Sequence, residues 1–91
     1  MSTAPYLEVT YRKGRVFAAY LYLPRRPGDV SARTTAPEPG FVVDFSADGR
    51  AIGIEITHPE PGTLLASLNR VMLTLRMPPV AQADVRPLLA A

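Results

Sequence analysis

"GFVVDFSADGRAIGIEI" (residues 40–56) decides how this chain folds. Phe41, Val43 and Phe45 alternate with Val42 and Asp44, and after a polar break Ile52, Ile54 and Ile56 alternate with Ala51, Gly53 and Glu55. A period of two is the signature of a strand with one buried face. Asp48-Gly49 between the two runs is a strong hairpin signal, with the short Asp side chain accepting turn N–H groups and Gly49 supplying the turn's backbone freedom. Both apolar sets reach one side only across an even loop, either Asp48-Gly49 alone or Ser46 to Gly49. An odd loop pairs Phe45 with Ala51 and Phe41 with Glu55, which buries a carboxylate among phenylalanines. The sequence therefore predicts an even loop, with Asp44 and Glu55 together on the opposite face.

Upstream, "YLEVTY" (6–11) and "VFAAYLYL" (16–23) form a second hairpin. A three-residue loop, Arg12-Lys13-Gly14, with Gly14 left-handed, sets Val9 opposite Phe17 and Leu7 opposite Ala19. Leu7, Val9, Tyr11, Phe17, Ala19, Leu21 and Leu23 then share the core face. Val16, Ala18, Tyr20, Tyr22 and Val42 fall on a second face that is far from polar. "PRRPGD" (24–29) cannot stay in a sheet, and "VSARTTA" (30–36) reads as a short edge strand.

The period changes after "THPEPG" (57–62). Leu64, Leu65, Leu68, Val71, Met72 and Leu75 form an apolar helical stripe, with Thr63 at the N-cap position and "MPPV" (77–80) ending the helix. Val85, Leu88 and Leu89 tuck down a short helical tail limited by Pro87. The expectation is one α+β domain spanning residues 1–91. It has an antiparallel β-meander of about five strands (5–57), a C-terminal helix packed on one face (63–76) and a tail (77–91).

Composition limits the chemistry. Ninety-one residues hide a little over ~60% of the surface of the unfolded chain, enough for one modest core. There is no cysteine and a single histidine, His58, so thiolate chemistry and a two-histidine metal site within one chain are excluded. No leader-like start and no long apolar run are visible, so the expected location is the cytoplasm, with no membrane segment. A net charge of +2 is too small to imply nucleic acid. Arg25, Arg26 and Arg50 form a candidate basic patch at one end of the sheet, opposite Arg12, Lys13 and Arg15. Tyr20 and Tyr22 share a strand face as base-stacking residues do, yet no basic residues interleave with them, which speaks against nucleic acid. No serine sits in a nucleophile setting and no Gly-rich loop opens a helix. No cofactor is expected.

Three stretches together, "AYLYL" (19–23), "GFVVDFSADGRAIGIEI" (40–56) and "TLLASLNRVMLTLRMPPV" (63–80), resemble the small bacterial family DUF2283. The matching positions are Asp44, Asp48, Gly49, Gly53, Ile54, Glu55 and Ile56. The chain departs at "YRKGRVFAAY" (11–20), where Arg12, Lys13 and Arg15 replace the family's acidic lead. The resemblance implies an antiparallel sheet with a terminal helix and no assigned activity, and some members are suspected partners of small toxin-like proteins.

The functional expectation is a non-enzymatic protein-interaction module, self-associating as a homodimer. Tyr20, Tyr22, Val42, Asp44 and Glu55 are its candidate partner-binding residues, and Gly14, Asp48 and Gly49 are structural turn residues. Two alternatives are an antitoxin-like partner of a small toxin protein, and a small-ligand or metal-binding domain using Asp44 and Glu55.

Overall fold

The computed structural model describes residues 5–89, so the last two residues of the expected tail lie outside the described part. Five strands form one antiparallel sheet: β1 (Tyr6–Arg12), β2 (Arg15–Tyr22), β3 (Arg33–Glu38), β4 (Phe41–Phe45) and β5 (Ala51–Thr57). Helix α1 (Leu64–Thr74), a 3₁₀ turn (Gln82–Val85) and a final helical turn α2 (Arg86–Leu89) follow. This is the expected α+β architecture of sheet, helix and helical tail. The strand order is β1-β2-β5-β4-β3, so it is not a simple meander. The β1-β2 hairpin docks against the outer side of a β3-β4-β5 meander. The β2-to-β3 connection therefore crosses the ends of β5 and β4.

Neither hairpin uses the turn expected of it. The first is a two-residue turn, Lys13-Gly14, with φ of 53° and 76°, flanked by the Arg12·Arg15 pair. Positive φ at both central residues gives the type I′ geometry that matches strand twist. The second loop runs from Ser46 to Arg50 between Phe45 and Ala51, an odd number of residues. The Gly49 N–H donates to the Ser46 carbonyl at 3.0 Å, and Gly49 takes φ +88°. Neither loop delivers the expected parity unaided. A bulge in each hairpin restores it.

In β5 the extra residue is Ile52. Phe45 pairs with Ala51, but Asp44 pairs with Gly53, Val43 with Ile54 and Phe41 with Ile56, so no carboxylate enters the core. In β2 the extra residue is Phe17: Tyr11 pairs with Val16 and Thr10 with Ala18. The ladder is thereby displaced from the expected register, with Val9 opposite Ala19 and Leu7 opposite Leu21. Two side-chain placements change with it. Val16 packs against the core, and Phe17 lies 39% exposed beneath the Arg12 guanidinium, 4.2 Å from its ring centre. Tyr11, expected inside, is 58% exposed.

The core lies on one side of the sheet. Ala19, Leu21, Leu23, Phe41, Val43, Ile54 and Ile56 meet Leu64, Leu68, Val71 and Met72 of α1, with Val80, Val85 and Leu88 of the tail completing the layer. Leu65, Leu75 and Leu89 pack against its margin, as the helical spacing requires. Thr63 precedes the helix without a side-chain cap; the Thr63 and Leu64 N–H groups both donate to the Glu60 carbonyl instead. The C-terminus closes before the prolines. Arg76 takes φ +57°, its N–H donates to Leu73 and the Met77 N–H to Met72, the paired bonds of a Schellman ending. Asn69 then anchors the tail: its Oδ1 accepts the Val80 N–H at 2.7 Å. Arg70 reaches Glu38 at 2.6 Å and ties the exposed side of α1 to the end of β3. No helix among the described residues is long and apolar enough to cross a membrane.

Ile54 is fully buried at the centre of the sheet, whereas Leu73 is 76% exposed on α1. Ile54→Ala should cost about 2–5 kcal/mol in urea unfolding, from lost transfer energy plus the cavity left behind. Leu73→Ala should stay within about 0.5 kcal/mol of the parent.

Candidate functional site

The second face of the sheet carries the most organised polar chemistry of the described chain. Strand alternation places Tyr6 and Glu8 of β1, Ala18, Tyr20 and Tyr22 of β2, Gly53 and Glu55 of β5, and Val42 and Asp44 of β4 on this side. Neither α1 nor the tail covers it, since both pack on the other side. Three of the five candidate partner-binding residues make adjacent pairs: Tyr20 faces Glu55 across β2-β5, and Glu55 faces Val42 across β5-β4. Asp44 lies diagonally from Glu55, opposite Gly53.

Tyr20 organises the centre. Gly53 has no side chain, and the Tyr20 ring lies across it; an added Cβ there would overlap the ring and its hydroxyl oxygen. Lying so, Tyr20 reaches from β2 across β5 to β4, and its hydroxyl donates to Asp44 Oδ2 at 2.6 Å. The glycine is what makes that reach available. Burial, then the bond to Asp44 and its charge, push the Tyr20 hydroxyl up to about 12, against the opposing pull of Arg25. Asp44 is thus held by a neutral phenol, not aimed at Glu55. Among the described residues no three His, Asp or Glu side chains converge on one point.

Residues outside the expected set complete the surface. Tyr6 stacks on Tyr22 with ring centres 4.6 Å apart and planes 9° from parallel, and Tyr22 meets Tyr20 edge-on at 4.7 Å. The Tyr22 hydroxyl makes a long bond, 3.4 Å, to Glu8 Oε1. Arg25 lies beside this row, 5.1 Å from the Tyr22 ring, and donates from Nη2 to the Ile52 carbonyl at 2.9 Å. That carbonyl belongs to the bulge residue of β5. The Arg25 Nε is buried without a partner among the described residues. Alternation of residues 6–11 could have placed Tyr6 over Tyr22. Nothing local marks Gly53 as the bed for a ring three strands away in sequence.

Arg25, Arg26 and Arg50 do gather at one end of the sheet, but not as a free basic patch. Arg50 donates to Asp29 through Nη1 and Nη2 at 3.0 and 2.7 Å, and to Asp48 through Nε at 2.9 Å. Asp29 also accepts the Arg26 N–H at 2.7 Å. Asp48 keeps its expected turn role, with partners the sequence did not specify: it accepts the Ser46 hydroxyl as well as Arg50. Those two donors hold its carboxyl down at about 2. Hydrogen bonds from Arg50 and Arg26 likewise lower Asp29. Arg50 therefore pins the β2-β3 crossover to the turn it passes.

No family model matches the chain, and no curated protein or solved structure is similar to it.

Two titrations check this geometry. The Tyr20 pKa is raised on folding, so its contribution is present below the ordinary value of 10.0 and is lost as pH rises toward about 12. Gly53→Ala must displace the ring, so the highest phenolate midpoint in ultraviolet absorbance should fall back toward 10.0. An unchanged midpoint contradicts the arrangement. Asp48 is lowered on folding, so its contribution is present above 3.8 and disappears as pH falls toward about 2. Urea midpoints should drop across that interval, and less steeply in Asp48→Asn.

Proposed function

We propose that this domain is a non-enzymatic protein-interaction module that self-associates and presents the open sheet face to a protein partner. The observation that carries this reading is the one-sided core. Helix and tail both cover the same side, which leaves a row of tyrosines, Ala18 and half-buried Val42 in solvent on the other. Contiguous surface of this kind, apolar with a fixed polar frame, usually meets another protein. Tyr6 is 62% exposed yet stacked in place, so a partner would find a rigid ring instead of a mobile one.

The titratable groups support the non-enzymatic part. General acid–base work favours groups tuned toward the operating pH. Here Tyr20 moves up to about 12 and Asp48 down to about 2, each away from neutrality. The Ser46 hydroxyl donates to Asp48, whose carboxyl is held down at about 2 and is therefore a weak base for activating it. These are the shifts of structural hydrogen bonds.

Sedimentation equilibrium of the parent chain at tens of micromolar should give the mass of a dimer. A monomer throughout that range removes self-association.

A further inference from the structure

The sheet is open, so it has two edges, and they are built differently. The outer edge at β3 contains Pro37, which has no N–H to offer, and its ladder is irregular between Thr35 and Glu38. Such features end strand pairing. The outer edge at β1 differs: its ladder shifts between Thr10 and Tyr11, but the extra residue lies on its neighbour. Seven residues, Tyr6–Arg12, run without proline, and the bulge of that hairpin is on β2.

The direction of the free backbone groups on β1 follows from the turn. A two-residue loop makes Arg12 and Arg15 the pair that exchanges both hydrogen bonds. Thr10, Glu8 and Tyr6 then direct their N–H and C=O groups toward β2, and Leu7, Val9 and Tyr11 direct theirs outward. The far side of β2 agrees: the Leu23 N–H donates toward β5, to the Ile52 carbonyl at 3.2 Å, so Tyr22, Tyr20 and Ala18 must face β1. Among the described residues no loop, turn or tail backbone group bonds to Leu7, Val9 or Tyr11.

A second β1 laid antiparallel along this edge can hydrogen-bond through two or three of these residues in three short registers. Centred on Glu8, it sets two carboxylates face to face, which is unfavourable. Centred on Val9, it leaves Glu8 opposite a threonine. Centred on Thr10, it places Glu8 opposite the partner's Arg12, and Arg12 opposite the partner's Glu8, in the close non-hydrogen-bonded positions where opposite charges stabilise a ladder. We propose that the chain dimerises through β1, in the Thr10-centred register, into one ten-stranded antiparallel sheet. The twofold axis is perpendicular to the sheet, so both helices lie on one side and both tyrosine rows on the other. The two open faces become one continuous surface. This rests on the self-association in the reading above and names the surface that performs it; the open face stays free for a different protein.

Charge reversal tests it. Glu8→Arg and Arg12→Glu should each weaken the dimer by about tenfold or more in sedimentation, through two like-charge contacts per dimer. The double variant E8R/R12E exchanges the charges and should recover parent affinity to within about threefold. Both positions are exposed, and circular dichroism confirms that each variant is folded. Hydrogen exchange on the parent chain supplies a second measurement. Amides of Val9 and Tyr11 should gain protection as concentration rises, while those of β3 do not. Single reversals without effect, a double variant that fails to recover, or β1 amides indifferent to concentration would each overturn the edge proposal and leave self-association by another surface. A parent chain that is monomeric removes both.

Discussion

Ile52 sits where the β4-β5 ladder would otherwise fail. Side chains on a strand alternate strictly, so a loop one residue too long sends a whole apolar set to the wrong side. The five-residue loop after Phe45 is such a loop, and uncorrected it would drive Glu55 into the layer beneath Phe41. One unpaired residue cancels the error, and Ile52 is itself buried, so the correction costs no core volume. Phe17 does the same for the first hairpin, but its ring goes to the surface, where Arg12 and His58 hold it. Everything built on the two faces depends on these two insertions.

The Ile52 bulge also shapes the second face. Its carbonyl accepts both the Leu23 N–H and the Arg25 guanidinium, so the same local irregularity ends the β2-β5 ladder and positions the cation beside the tyrosines. Gly53, the next residue, is where Tyr20 lies down. Packing parity, ladder termination and the tyrosine row are three results of one short segment, residues 52–53.

Much of this was legible in the sequence, and the reason is burial. The five strands, α1, the tail and nearly all the inward residues follow from apolar periodicity, because the hydrophobic layer enforces period two or 3.6 on any segment that joins it. The eventual separation of Asp44 and Glu55 from the core was legible on the same grounds. Turn length was not. Lys13-Gly14 and Ser46–Arg50 each tolerate several loops locally, and a bulge can offset whichever is chosen, so parity constrains the sum and not its parts. Strand order was also hidden, since β2 could pair with β3 or β5 on pattern alone. The Asp29–Arg50 pair lies across that hidden topology, and no local motif announces it. Tyr20 over Gly53 depends on both unknowns together.

The crossover has a bearing on how the molecule assembles. The β1-β2, β3-β4 and β4-β5 ribbons each close over a few residues, whereas the β2-β5 ladder joins residues between 31 and 39 positions apart. Loop-closure entropy makes the local ribbons the early events and that one ladder the late one. The central seam between Leu21 and Ile54 is thus where two preformed halves meet, and it is also the most deeply buried part of the sheet. Asp29 and Arg50, drawn together only when the halves are aligned, act as the latch on a finished joint.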